Sequence, residues 1–145
     1  MFLDGLRARP ESREFKSVED IRRADPVVLA YIGDTLYDLY IRVRLAHSGN
    51  FQSGRLHTMA IPFVCASGQA AAFDRLLGEL NEDEQNIARR ARNAKAGTLP
   101  KNCDPATYAR ATALEAVFGY LYLCRCRERL EELLEKAYEY ASKGE

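Results

Sequence analysis

Two long apolar stretches of this chain are each opened by the dipeptide Asp-Pro, and this pattern constrains the fold more than any other feature. Asp25-Pro26 precedes the run VVLAYIGDTLYDLYI, and Asp104-Pro105 precedes ATYARATALEAVFGYLYL. An aspartate before the first turn caps free backbone N–H groups of a helix, and proline is favoured at the first helical position. We therefore predict two long helices that begin at these prolines, the first extending to about His47.

Weaker start signals predict shorter helices in the rest of the chain. They are expected from about Ser17, from Ser53 to about Thr58, from Pro62 to about Leu77, from Asn81 to about Ala94, and over the amphipathic segment ERLEELLEKAYEYA. Strand signals are absent, since no segment alternates with period two and no Asn-Gly or Asp-Gly turn occurs. We predict an all-α bundle of about six or seven helices in a single domain over residues 1–145, with residues 1–16 as a flexible N-terminal extension.

The composition excludes several classes of protein. Lys and Arg total 21 and Asp and Glu also total 21, so the chain is not a globally basic nucleic-acid binder. No apolar run approaches the ~18 residues of a membrane span, and the charged N-terminus lacks the apolar centre of a signal peptide. We expect a cytoplasmic protein with reduced cysteines. The four cysteines include no CxxC pair and only two histidines accompany them, which argues against a structural zinc site.

Each long apolar stretch carries a carboxylate near its middle. Asp34 follows Gly33 in the first, and Glu115 precedes Ala116 and Gly119 in the second. Small residues allow two helices to pack closely, which would bring Asp34 and Glu115 together. Two unpaired carboxylates repel at close range unless a cation lies between them, and magnesium typically binds one or two carboxylates plus waters and phosphate. The pattern predicts a site for a divalent cation.

An ordinary interpretation of these charges remains open at this point. Asp34 and Asp38 could form a solvated stripe on the first helix, with Asp38 paired to Arg42 one turn later. Glu115 could pair with one of the many arginines. We assign Asp38 to this solvated surface, and His57 to a surface or capping position.

A basic segment, RRARNAKAGTLPKNC, leads into the second long helix. Its cations are Arg89, Arg90, Arg92, Lys95 and Lys101, and Asn93 and Thr98 add short polar groups. Gly97 and Pro100 predict that the middle of the segment is an exposed loop. Charge combined with short polar side chains suits contact with a phosphate backbone. The alternative is a solubilising loop whose charge is offset by the preceding acidic residues.

Three segments in this order resemble a known family. LAYIGDTLYDLYIR looks like the signature helix of ribonuclease III domains, TALEAVFGYLYL looks like their second catalytic helix, and RNAKAGTLPKN is similar to a loop of the compact Mini-III ribonucleases. The resemblance implies a homodimeric, Mg²⁺-dependent endoribonuclease, with Mn²⁺ as a substitute, that leaves 5′-phosphate and 3′-hydroxyl ends on double-stranded RNA. It also implies that 23S ribosomal RNA precursors are the substrate, presented by a ribosomal protein, and that no double-stranded-RNA-binding domain is present.

The same resemblance assigns roles to particular residues. Asp34 and Glu115 become the catalytic, metal-binding carboxylates. The loop residues expected near RNA are Arg92, Asn93, Lys95, Thr98 and Lys101. Two further acids that are usual in ribonuclease III are replaced here by Ala30 and Thr112. We therefore expect one ion on Asp34 and Glu115, with Thr112 able to complete its shell and a second ion arriving with RNA.

The loss of two acids also suggests an alternative function. A helical dimer that binds RNA with weak or lost catalysis would keep the basic segment without needing a complete metal site. A di-iron bundle is disfavoured because the Glu-x-x-His pairs of such proteins are absent.

Overall fold

A computed structural model describes Phe15 and residues 17–94 and 99–142. These residues form seven α-helices, one short 3₁₀ turn and no strand, which confirms the predicted all-α class. The helices are α1 (Val18–Arg22), α2 (Pro26–Ser48), α3 (Ser53–Val64), α4 (Ala66–Leu76), α5 (Glu82–Asn93), α6 (Pro105–Leu123) and α7 (Arg127–Ser142), and the 3₁₀ turn is Leu77–Glu79. Apart from Phe15, the predicted N-terminal extension lies outside the described residues.

The predicted caps of the long helices are present. The Asp25 carboxylate accepts the Val27 N–H at 2.9 Å, so α2 begins at Pro26. The Asp104 carboxylate accepts two hydrogen bonds from Thr107, one from its backbone N–H at 2.9 Å and one from its hydroxyl at 2.7 Å. Helix α6 therefore begins at Pro105. Local hydrogen bonds of this kind are set by neighbouring residues, which is why they can be predicted from sequence.

The predicted boundary between α3 and α4 is wrong. Pro62 lies inside α3 rather than at the start of the next helix, and α3 continues past Thr58 to Val64. Because proline has no N–H, Pro62 removes one hydrogen bond from the last turn of α3, and the helix stops where Cys65 becomes extended. The thiol of Cys65 then accepts the Gly68 N–H at 3.4 Å and caps α4.

Helix α6 is the centre of the molecule. Its buried residues are Ala111, Ala113, Leu114, Ala116, Val117, Phe118, Gly119, Tyr120 and Leu121. Helices α2, α4 and α5 pack around it. The Tyr37 ring of α2 stacks on Phe118, with 5.3 Å between ring centroids. In the part of the chain that the structure describes, no helix is long and apolar enough to cross a membrane.

Helix α7 closes the bundle through an apolar stripe and one buried ion pair. The stripe consists of Leu130, Leu133, Leu134 and Ala137, as its spacing predicts. Glu84, at the start of α5, is fully buried and accepts hydrogen bonds from Arg129 at 2.8 and 2.9 Å. The same carboxylate accepts the Asn81 N–H at 3.0 Å, while Asn81 accepts the Glu84 N–H at 2.9 Å. The predicted capping box thus also anchors α7.

Candidate active site

Two glycines allow α2 and α6 to touch backbone to backbone. A β-carbon added at Gly33 would lie 1.7 Å from the Glu115 carbonyl oxygen, and one added at Gly119 would lie 1.9 Å from the Leu29 carbonyl oxygen. No side chain larger than hydrogen fits at either position without moving a helix. The close approach predicted from the small residues is therefore present.

This crossing brings the two predicted carboxylates together. Asp34 follows Gly33 on α2 and is exposed, whereas Glu115 on α6 is half-buried. Asp34 lies close enough to Glu115 to raise its pKa, both through a hydrogen bond and through its negative charge. The partners of Glu115 are Asp34 and Gln69, rather than the arginine that the solvated-surface interpretation required.

The surroundings of Glu115 favour its protonated form in the metal-free protein. Burial is the main cause, and the hydrogen bond and negative charge of Asp34 add to it, so that the pKa of Glu115 rises to about 9. A hydrogen bond from Gln69 acts in the opposite direction. A cation between the two carboxylates would take the place of the proton that Glu115 keeps without metal.

Gln69 belongs to this site, and the sequence analysis did not identify it. It lies on the first turn of α4 and is only 3% exposed. Its Nε2 donates to the Val64 carbonyl oxygen at 3.1 Å, and its amide lies near enough to Glu115 to lower the pKa of that carboxyl group. The available signal was weak: Gln69 is the one long polar side chain in the small-residue run ASGQAAAF.

The other residues discussed from sequence have clear positions. Ala30 is buried in the core, and the Thr112 hydroxyl donates to the Tyr108 carbonyl at 2.9 Å within its own helix. Asp38 pairs with Arg42 at 2.9 Å, which confirms its assignment to the solvated surface. His57 is exposed on α3.

A basic groove lies between α4, α5 and the first turns of α6. Its volume is about 290 Å³, and Phe73 and Leu77 form part of its apolar lining. Its long polar residues include Arg89, Arg92, Asn93 and Arg110. Arg110 pairs with Asp74 of α4 and precedes Glu115 by five residues, about 7 Å along the helix axis. Arg92 and Asn93, two of the predicted RNA-binding residues, therefore lie together on one concave surface.

The remaining predicted RNA-binding residues lie in the connection from α5 to α6. Lys101 is exposed in a turn just before α6. Lys95 and Thr98 lie outside the described residues.

Comparisons with known proteins agree with this architecture. Residues 27–125 match the Ribonuclease III domain family. A Mini-ribonuclease 3 from Symbiobacterium thermophilum is 44% identical over 120 residues, covering 83% of this chain and 92% of that protein. A Mini-ribonuclease 3 from Enterococcus faecalis is 42% identical over 119 residues, covering 81% and 90%. A crystal structure of a protein from Fusobacterium nucleatum superimposes with a TM-score of 0.74 at 30% identity, covering 83% of this chain and 96% of that one.

The chain belongs to the ribonuclease III domain family, and within that family to the Mini-ribonuclease 3 group. It is an endoribonuclease of the ribonuclease III type, and its substrate is RNA. This membership confirms the resemblance drawn from the three sequence segments, and it disfavours the alternative of an RNA-binding protein without catalysis.

Proposed function

We propose that the protein is a magnesium-dependent endoribonuclease that cleaves double-stranded RNA, with Asp34 and Glu115 as its catalytic, metal-binding residues. The observation that carries this proposal is the contact between the two carboxylates where α2 and α6 cross. Products with 5′-phosphate and 3′-hydroxyl ends are expected from this chemistry.

The donor set fits a hard divalent cation. Two carboxylates in contact supply oxygen ligands, and magnesium is commonly held by one or two carboxylates plus waters and substrate phosphate. Within the described residues, no cluster of three or more His, Cys, Asp or Glu side chains could hold a metal. A two-carboxylate site leaves most coordination positions to water and phosphate oxygens, which favours Mg²⁺, with Mn²⁺ as a substitute.

Few side chains of this protein take part directly in the proposed cleavage reaction. When bound, the ion would acidify a coordinated water and offset charge on the attacked phosphate. Glu115 must first lose its proton, because its protonated form predominates without metal. Asp34 is the exposed member of the pair and is therefore accessible to a phosphate that arrives from solvent. Neither His57 nor another side chain in the site acts as a separate base in this scheme.

The basic groove and the connection that follows it are the proposed RNA-contacting surface. Arg92 and Asn93 line the groove, and Lys101 extends the positive charge towards the start of α6. Lys95 and Thr98 belong to the same connection and are proposed to contact RNA with them. Guanidinium groups bind phosphate oxygens in a bidentate manner, so this surface suits a duplex backbone.

A homodimer would supply two active sites to one duplex. An apolar strip on α2, made of Val27, Val28 and Tyr31, is exposed, and Tyr31 reaches 80% exposure. Tyr31 lies three residues before Asp34 and so shares its side of the helix. We propose that this strip is covered by a second copy of the chain, which would place the two metal sites near the dimer interface.

The proposed biological substrate is a double-stranded stem of a 23S ribosomal RNA precursor, presented with a bound ribosomal protein. This assignment rests on what the sequence resemblance to the Mini-III ribonucleases implies. The cytoplasm is the compartment in which such a substrate would be met.

The decisive experiment compares carboxylate variants in a cleavage assay with structured precursor RNA and Mg²⁺. Asp34→Asn and Glu115→Gln are expected to lower the rate by at least ~10³-fold, because removal of a ligand leaves the ion poorly held. Asp38→Asn is the matched control, since Asp38 lies one turn from Asp34 and pairs with Arg42. Full activity in either of the first two variants, or no Mg²⁺-dependent cleavage by the wild type, would contradict the proposal.

A further inference from the structure

Two polar or charged side chains are fully buried in the described part of the molecule, and one of them lies in the active site. Glu84 is neutralised by Arg129 and serves the packing of α7. Gln69 is the other. Its amide is uncharged, so no ion pair offsets the cost of burying it. A buried amide is costly unless its N–H and carbonyl groups are hydrogen-bonded, so its contacts indicate its role.

The orientation of the Gln69 amide follows from its contact with α3. The Val64 carbonyl oxygen can only accept a hydrogen bond, so the amide nitrogen must face it, at 3.1 Å. That nitrogen has a second N–H, which can donate to a carboxylate oxygen. Since this amide also lowers the pKa of Glu115, it lies beside that carboxyl group, between the end of α3 and helix α6.

The backbone beneath Gln69 is held tightly. The Gln69 N–H donates to the Cys65 carbonyl at 3.0 Å, and the Gly68 N–H donates to the Cys65 thiol at 3.4 Å. A β-carbon added at Gly68 would lie 1.9 Å from the Pro62 carbonyl oxygen. The first turn of α4 therefore rests directly on the last turn of α3. A side chain on such a rigid support can orient its neighbour.

We propose that Gln69 is a positioning residue, which holds the Glu115 carboxylate in the orientation needed to share a metal ion with Asp34. The inference rests on the proposed metal site. The described residues form no cluster of three or more His, Cys, Asp or Glu side chains, so the ion has few protein ligands and the orientation of each matters more. A neutral amide can orient Glu115 without adding negative charge beside the pair.

The test replaces Gln69 with methionine, which has a similar length but no hydrogen-bonding amide. Binding of Mn²⁺ to the RNA-free protein is followed by the loss of the free-ion electron paramagnetic resonance signal, and folding is followed by thermal denaturation. Gln69→Met is expected to weaken Mn²⁺ binding by ~10- to 100-fold, as is typical when a partner of a metal ligand is removed. In cleavage assays, part of the lost rate should return at saturating Mg²⁺.

Gln85→Met is a matched control. The Gln85 amide donates to the carbonyl of Leu80 at 2.8 Å, five residues earlier, just as Gln69 donates to Val64. It lies on α5 and does not bond Glu115. Both variants lose the same type of hydrogen bond, but only Gln69→Met should lose affinity for Mn²⁺. Equal Mn²⁺ affinity in Gln69→Met and wild type would overturn the inference.

A measurement on the wild type covers the case in which Gln69→Met does not fold. The side-chain amide signal of Gln69 in a ¹⁵N-edited NMR spectrum should move on Mg²⁺ titration, with the same midpoint as ion binding, and should not move in Glu115→Gln. A signal that stays in place would also overturn the inference. If Asp34→Asn binds Mn²⁺ as well as the wild type does, the metal site itself is wrong, which separates that failure from a failure of Gln69.

Discussion

At the scale of single residues, Glu115 is the group whose environment departs most from that of an ordinary surface carboxylate. It sits on the central helix beside Asp34 and Gln69, and its pKa is raised to about 9 by burial and by Asp34. A free carboxyl of this type has a pKa of 4.5. The metal-free site is therefore a protonated pair that is destabilised as the pH rises. Active sites often contain carboxyl groups with strongly shifted pKa values, because residues placed to bind a ligand are poorly stabilised when that ligand is absent.

The raised pKa of Glu115 predicts how the stability of the metal-free protein depends on pH. A raised pKa in the folded state stabilises the protein fully below pH 4.5, and that contribution is lost as the pH rises towards 9. In a chelator, the wild type should therefore lose stability over this range. At pH 8, about 3.5 pH units above the ordinary pKa, Glu115→Gln should be more stable than the wild type by up to about 5 kcal/mol, because the amide needs no proton. Denaturant unfolding at several pH values measures the difference.

The matched control is Glu131→Gln, at an exposed carboxylate that pairs with Arg127 on α7. Its effect should stay within about 0.5 kcal/mol at every pH. If Glu115→Gln is no more stable than the wild type at pH 8, the carboxylate is not protonated in the folded protein.

At the scale of the elements, the crossing of α2 and α6 depends on the absence of two side chains. Gly33→Ala would place a β-carbon 1.7 Å from a backbone oxygen of the facing helix, and backbone cannot rotate away as a side chain can. Either α2 moves away from α6 or the protein unfolds. Both results separate Asp34 from Glu115, so one contact supports the fold and the site together.

We predict that Gly33→Ala lowers the free energy of unfolding by about 2–4 kcal/mol, as overpacking and loss of core contacts do. RNA cleavage should be lost with it. Gly54→Ala on α3 is the control, because nothing lies within 4 Å of its added β-carbon. In a helix this change should be neutral or stabilising by up to ~1 kcal/mol. Thermal denaturation of both variants tests the prediction, and a normal melting temperature for Gly33→Ala would contradict it.

At the scale of the whole molecule, the exposed apolar strip on α2 is the main feature that a monomer leaves unexplained. Val27, Val28 and Tyr31 are 44–80% exposed, next to the helix face that carries Asp34. An apolar patch beside an active site is typical of an interaction surface. A second copy seated there would bury the strip and align two metal sites for two strands.

We predict that the protein is a dimer at micromolar concentration and that Tyr31→Asp shifts it towards monomer. The introduced charge would be buried without a partner in the interface, which is strongly unfavourable. Val43→Asp is the control: Val43 is 46% exposed on the same helix but lies on a different side. Light scattering measures the mass of each variant. A wild-type monomer, or a dimer unaffected by Tyr31→Asp, would contradict the proposed interface.

The sequence by itself determined the features that depend on neighbouring residues. Asp25 and Asp104 start the two long helices, and Asn81 forms its capping box with Glu84, because these hydrogen bonds span only three residues or fewer. Gly33 and Gly119 also predicted the contact of α2 with α6, since a glycine within a helix commonly marks close approach. The stripe of α7 follows from helical periodicity alone.

The tertiary structure alone decided what surrounds those features. Pro62 does not start a helix, because the end of α3 is set at Cys65 and by the close packing of Gly68. Gln69 joins Glu115, and Arg110 joins Arg89 and Arg92 in one groove, although these residues are distant in sequence. Sequence patterns report hydrogen bonds and periodicity within one helix. The charge state of Glu115 and the shape of the groove arise from contacts between helices, which only the packed structure provides.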